Sequence, residues 1–137
     1  MSGNRVFFDS NIIVYLYTET ELVKKRQALQ EFISNDRYIS TQVLNELSNV
    51  GFKKLNLTVK EVQDISSELV SVCYFSVVDY KTIQDAHVLK DRYGYSYYDC
   101  LMLASALECG CKYLYSEDMS DGQIIKGLTI RNIFRHP

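Results

Sequence analysis

A chain of 137 residues, 47% apolar and 23% charged, is long enough to bury one core and too apolar to be disordered. Its formal net charge of −2 weighs against a protein that holds nucleic acid by charge alone. No apolar run approaches the ~18 residues of a membrane span, and Asp9 interrupts the apolar stretch of MSGNRVFFDSNIIVYLY where a secretory leader needs an unbroken core. The expectation is a cytoplasmic protein with no membrane segment. The one Pro is Pro137, and no Gly-, Ser- or Pro-rich linker or internal repeat divides the chain, so residues 1–137 read as a single domain.

Val6-Phe7-Phe8, within Arg5 to Asp9, reads as a short buried strand ending on a carboxylate, and Ser10 to Tyr17 as a helical turn or two. Glu21 to Ser34 is an amphipathic helix, with Leu22, Ala28, Leu29, Phe32 and Ile33 as its apolar stripe. A second strand covers Arg37 to Ser40. The helix from Thr41 to about Gly51 takes Ser40 or Thr41 as cap and turns Val43, Leu44, Leu47 and Val50 inward. Thr58 to Val72 is a further helix, with Val59, Val62, Ile65, Leu69 and Val72 at helical spacing. Tyr74 to Val78 is a third strand, and Tyr80 to Tyr93 a helix that ends at Gly94.

The next helix carries the clearest pattern. Ser96 is its N-cap, and Asp99, three residues later, completes a capping box with Asp in place of Glu. Leu101, Met102, Ala104, Ala106 and Leu107 make it apolar nearly all round, which places it centrally, and Gly110 stops it. Lys112 to Ser116 and Leu128 to Phe134 are the fourth and fifth strands. Strands alternating with helices predict an α/β fold: a three-layer α/β/α sandwich around a mostly parallel sheet of about five strands.

Cys73, Cys100, Cys109 and Cys111 lack the paired C-x-x-C knuckles of a zinc site and read as buried free thiols. Lys24-Lys25-Arg26 and Lys53-Lys54 read as solvated helix faces, His87 and His136 as structural or surface residues. The four residues Tyr93, Tyr95, Tyr97 and Tyr98 fit either an interface or rim packing.

The chemistry lies in the acids. Asp9 and Asp118 fall at or just beyond strand ends, Glu46 and Asp99 early on helices that follow other strands, so all four can meet at one edge of the sheet, where such folds bind ligands. Each has an ordinary alternative. Asp9 and Asp99 could be helix caps, Glu46 a solvated helix residue, Asp118 a turn residue. Against that, Asp9 sits in a strongly apolar stretch, Glu46 has Val43 and Val50 as helical neighbours, and Asp99 opens the most buried helix. Converging carboxylates without basic partners repel, and a hard divalent cation, Mg²⁺ or Mn²⁺, is the usual resolution.

Four segments resemble one known family. Asp9-Ser10-Asn11-Ile12 is similar to the D-[ST]-N opening of PIN-domain nucleases. Thr41-Gln42-Val43-Leu44-Asn45-Glu46-Leu47 resembles their second motif, a helix with a lone Glu. Tyr97-Tyr98-Asp99-Cys100-Leu101-Met102-Leu103-Ala104-Ser105-Ala106 resembles the third, an Asp opening a helix of small residues. Leu114-Tyr115-Ser116-Glu117-Asp118-Met119 resembles the fourth, a strand followed by S-x-D. The likeness spans residues 5 to about 134 and is greatest to the stand-alone toxins of VapBC-type toxin–antitoxin pairs.

The resemblance implies that Asp9, Glu46, Asp99 and Asp118 are catalytic, metal-binding acids, with Ser10, Asn11 and Ser116 orienting carboxylates or water. Asp121, three residues after Asp118, could share or replace its role, and Glu117 should point elsewhere. The implied reaction is Mg²⁺-dependent hydrolysis of RNA, with Mn²⁺ a possible substitute, by a metal-activated water, leaving a 5′ phosphate and a 3′ hydroxyl. Implied partners are RNA, an antitoxin protein and a second copy in a homodimer. One alternative is a non-catalytic PIN-like module that binds RNA or protein. A phosphoacceptor receiver domain would want paired acids after the first strand and a Lys near the last, which this chain does not offer.

Overall fold

The computed structural model describes residues 3–136. Pro137 lies outside the described residues. Six strands form one sheet in the order β3-β2-β1-β4-β6-β5: β1 Arg5–Phe8, β2 Asp36–Ser40, β3 Tyr74–Ser76, β4 Tyr113–Tyr115, β5 Ile124–Ile125 and β6 Leu128–Arg131. All neighbours are parallel except β5 and β6. The helices are α1 Ser10–Ile13, continued by a 3-10 turn Val14–Tyr17, then α2 Leu22–Ser34, α3 Thr41–Lys53, α4 Val59–Val72, α5 Tyr80–Tyr93 and α6 Tyr97–Glu108.

The core follows from what each segment must bury. Val6, Phe7 and Phe8 alternate faces, yet all three are fully buried, so helices cover β1 on both sides. Phe32 of α2 meets Phe8 edge to face at 5.5 Å. Helix α6, buried without interruption from Cys100 to Ala106, runs against β1, β2 and β4. The four cysteines are free, and burial pushes the Cys73 and Cys111 thiols up to about 11 and about 12, which leaves them protonated and inert at neutral pH.

Strand order places the functional edge. From β1 the chain steps outward to β2 and β3, then returns to lay β4 on the opposite side of β1. The order therefore reverses between β1 and β4, and the carboxyl ends of that pair flank the switch-point crevice of an open parallel sheet.

The mostly parallel sheet of about five strands is borne out, with one short strand added: β5 pairs antiparallel with β6 through a two-residue turn, Lys126-Gly127, with φ of 50° and 86°. That is the both-positive backbone of a tight hairpin turn, which usually announces itself with Asn or Asp where Lys126 stands. Several expectations need correction. The last strand ends at Arg131 instead of Phe134, because Asn132 caps a 3-10 turn, Ile133–Arg135, accepting from Phe134 N at 3.0 Å. On α2 only Ala28 and Phe32 are buried; Leu22, Leu29 and Ile33 face outward, since the helix touches the body mainly at β2 and the two 3-10 turns. Val59 and Val72, at the two ends of α4, are also exposed. Neither Ser40 nor Thr41 caps α3 with its side chain: Ser40 Oγ is buried without a partner, and Thr41 Oγ1 instead accepts from Val78 N at 3.1 Å.

Candidate active site

The ladder that joins β1 to β4 continues one residue past β1, where Asp9 N donates to Tyr115 O at 3.0 Å. This fixes Asp9 as the N-cap of α1, with extended backbone and a carboxylate that accepts from Ser10 N at 2.7 Å. It is therefore a cap, and also more than a cap. The carboxylate is 3% exposed, and its other oxygen accepts from Ser116 Oγ at 2.9 Å, just beyond the end of β4.

Four side chains, Ser10, Gln42, Asn11 and Ser116, distribute the remaining polar contacts. Ser10 Oγ lies 2.7 Å from Glu46 Oε1 and 3.3 Å from Asp9 Oδ1; its single proton goes to the nearer, Glu46. Glu46 Oε2 accepts from Gln42 Nε2, one turn earlier on α3, at 2.9 Å. Asn11 serves the β4 side: its Oδ1 accepts from Glu117 N at 3.3 Å and its Nδ2 donates to Asp118 Oδ2 at 3.0 Å. Ser116 Oγ, having given its proton to Asp9, accepts from Asp118 N at 3.2 Å.

Asp99 comes from α6. Ser96 Oγ accepts from Asp99 N at 3.2 Å, but the expected capping box is only half formed. The reciprocal bond to the cap backbone, present at Thr58/Glu61 and Asp79/Thr82, is missing here. The Asp99 carboxylate is thus left free of the helix start. Burial raises its pKa, the Asp118 and Glu46 charges raise it further, and the Ser96 hydroxyl acts the other way. Asp9 shows the same conflict more strongly: burial, with the charges of Glu46 and Asp99, pushes it up to about 7 against the hydrogen bonds from Ser116 and Ser10.

Asp9, Glu46, Asp99 and Asp118 thus form one electrostatically coupled group, with Ser10, Asn11 and Ser116 strung between its members. Asp121 does not join them. It accepts from Asn132 N at 2.8 Å and lies 3.0 Å from His136 Nε2, and the backbone bond from Asn132 holds it below the usual carboxylate range. Glu117 also turns away, accepting from Tyr15 OH at 2.7 Å and pairing with Lys24, whose ammonium lies over the rings of Tyr15 and Phe134. Lys24 is therefore no freely solvated charge. Sequence reasoning missed it and Gln42. The Gln42–Glu46 spacing of four residues is a helical pairing signal that could have flagged the second.

Among the described residues no Lys, Arg or His is paired with any of the four central acids. Their donor set, carboxylate oxygen throughout, fits a hard divalent cation. No three of these side chains already stand in coordinating positions among the described residues. Glu46 is drawn toward Ser10 and Gln42, and Asp118 toward Asn11.

A mostly parallel sheet with acids gathered beyond the strand ends at its switch point is an α/β architecture that binds ligands there. Within that class the chain belongs to the PIN-domain family, whose model matches residues 6–120. No curated protein matches the sequence. Solved structures do. A toxin–antitoxin complex from Klebsiella pneumoniae is similar with a TM-score of 0.69 at 18% identity, over 90% of this chain and 95% of that one. VapBC2 from Rickettsia felis, bound to a DNA fragment from its promoter, gives a TM-score of 0.65 at 18% identity over 92% and 96%. Mycobacterium tuberculosis VapC20, a sarcin–ricin loop cleaving toxin, gives 0.64 at 16% identity over 82% and 89%. No helix among the described residues is long and apolar enough to cross a membrane.

Proposed function

We propose that this chain is a divalent-metal-dependent endoribonuclease and the toxin of a VapBC-type pair. The observation that supports the reading is that the charges of Glu46 and Asp99 bear on the buried Asp9, and those of Asp118 and Glu46 on Asp99, with no basic partner among the described residues. Asp9, Glu46, Asp99 and Asp118 are the residues that would hold Mg²⁺ or Mn²⁺. When bound, such an ion supplies a water of lowered pKa and stabilises charge on the phosphate oxygens.

The chain's own residues do the positioning. Ser116 and Ser10 fix the two Asp9 oxygens, so this carboxylate presents a constant face to the crevice. Gln42 and Ser10 hold Glu46, and Asn11 holds Asp118. Neither histidine is placed for proton transfer: His87 is exposed on α5 and His136 is bound to Asp121. The leaving 3′ oxygen therefore takes its proton from solvent.

RNA is favoured over DNA by the sarcin–ricin activity named for one structural relative, and an antitoxin partner by the toxin–antitoxin complexes among the others. A homodimer and a cytoplasmic location accompany this reading. The test is to incubate purified protein with total RNA and Mg²⁺ and to map the ends. Cleavage leaving 5′ phosphate and 3′ hydroxyl, abolished by EDTA, is expected. RNA bound but uncut under every divalent ion would favour the non-catalytic module.

A further inference from the structure

Among the described residues, every group that donates to the Asp9, Glu46 and Asp118 carboxylates is uncharged. Asp9 takes Ser10 N and the Ser116 hydroxyl, Glu46 the Ser10 hydroxyl and the Gln42 amide, and Asp118 the Asn11 amide. Gln42 is set apart by its place on the helix. It stands one turn before the acid it holds, the spacing at which α4 and α5 each set a lysine against an acid: Lys60 with Asp64 and Lys81 with Asp85. Those two pairs are solvated, their lysine side chains 79% and 74% exposed. Gln42 and Glu46 are both half-buried. Where the pair lies at the acid site, the lysine is replaced by an amide.

We infer that Gln42 is a positioning residue for the divalent ion: its amide fixes the Glu46 carboxylate without cancelling the charge that attracts the ion. The inference rests on the metal-dependent reading above and deepens it, naming a residue outside the four acids that sets how tightly the cation is held. Ser10 alone engages only Oε1 of Glu46 and leaves the carboxylate free to turn about its last bond. With Gln42 Nε2 on Oε2 at 2.9 Å, both oxygens are held. An ionised carboxylate has about four acceptor sites, so two hydrogen bonds leave it able to bind a cation. A lysine at this position would donate more strongly, but would also set a positive charge beside Glu46 that repels a cation at short range. An aliphatic side chain would leave Oε2 unheld, and the freedom of the carboxylate would then be lost on binding. A neutral donor meets both needs. The helix alone asks for no such residue, because an exposed pair at this spacing adds little to its stability.

The test is equilibrium binding of Mn²⁺ to the metal-free protein, read by electron paramagnetic resonance of the free ion, beside thermal unfolding in EDTA. Gln42→Met keeps the length of the side chain and removes the donor; it should raise the Kd for Mn²⁺ roughly tenfold or more and leave the melting temperature in EDTA nearly unchanged. Gln42→Lys keeps a donor and should melt in EDTA at or above wild type, yet bind Mn²⁺ at least as weakly as Gln42→Met. In a Glu46→Gln background, Gln42→Met should cost no further Mn²⁺ affinity, because the group it positions is already altered. Wild-type Mn²⁺ affinity in either single variant, or an undiminished further loss in the Glu46→Gln background, would overturn the inference. A loss of binding by Gln42→Met matched by collapse of its melting temperature in EDTA, with Gln42→Lys binding like wild type, would make the residue a helix contact only. Cleavage of RNA separates this inference from the reading beneath it. A wild type that cuts RNA with Mn²⁺ and binds the ion regardless of residue 42 keeps the nuclease and removes this role for Gln42. Gln42-dependent Mn²⁺ binding by a protein that cuts nothing keeps the role and removes the nuclease.

Discussion

Ser116 Oγ donates to Asp9 Oδ2 at 2.9 Å, so one hydroxyl ties the carboxyl end of β4 to the buried carboxylate at the end of β1. The same oxygen accepts from Asp118 N, which makes Ser116 the joint between two members of the acidic group. Ser116→Ala should leave one Asp9 oxygen buried without a donor. Mg²⁺-dependent cleavage should fall roughly tenfold or more, and stability by about 1–3 kcal/mol. Kinetics beside urea denaturation checks both, and an unaltered variant would remove Ser116 from the site.

Asp9→Asn and Asp99→Asn should each abolish cleavage of RNA with Mg²⁺. Asn keeps the size and capping ability of Asp9, so the loss would follow from the missing charge. The measurement is the initial rate, with contaminating nuclease excluded by a mock purification. Wild-type rates in either variant would end the metal-site assignment for that residue.

Asp118→Asn should cost far more activity than Asp121→Asn. Asp118 is coupled to Asp99 and held by Asn11, whereas Asp121 is spent on Asn132 N and His136. Asp121→Asn should show instead as a loss of stability of about 1 kcal/mol. The reverse ranking of rates would move the fourth acid to Asp121.

The raised pKa of Asp9 gives a pH dependence of definite sign. Between the ordinary value near 3.8 and the folded value of about 7, the native state holds a proton that the unfolded state has lost. Stability from this group therefore falls as pH rises through that window and levels off above it, by on the order of 4 kcal/mol in full. In EDTA, Asp9→Asn should gain on wild type between pH 5 and pH 8, by denaturant titration. Millimolar Mn²⁺ should raise the melting temperature of wild type and much less that of the variant. A difference that is flat with pH and indifferent to Mn²⁺ would contradict both claims.

Lys24 is expected to act through Glu117. Their ion pair anchors the residue between Ser116 and Asp118, so Lys24→Met should raise the Mn²⁺ concentration needed for half-maximal activity severalfold, and Lys24→Arg should restore much of it. An unchanged Mn²⁺ requirement would make the pair a surface contact only.

Much of this arrangement was legible in the residues. Period and punctuation gave the helices well where an end carries a signal, as at Gly94 after α5. They failed on β5, two residues long and joined by a turn with Lys at a left-handed position, because strand patterns need length to show. The stripe on α2 misled because apolar spacing shows which residues share a face, and not how much of that face the body covers. For the site, chain order could bring Asp9, Glu46, Asp99 and Asp118 to one edge through the strand-end rule. It could not reveal that Asp121 is taken by Asn132 N, or that Lys24 reaches Glu117, since both contacts depend on how distant segments dock.

Laying β4 beside β1 also sets when the site can exist. Asp9 is made more than a hundred residues before Asp118, and β1 has no neighbour on that side until Tyr113–Tyr115 arrive. A chain cut short or still being translated before Ser116 lacks the hydroxyl that holds Asp9, the fourth acid, and the strand that buries the first. Under the nuclease reading, termination before Ser116 yields a fragment without the complete acid group. Under that reading, the order of the strands makes the acid group wait for β4.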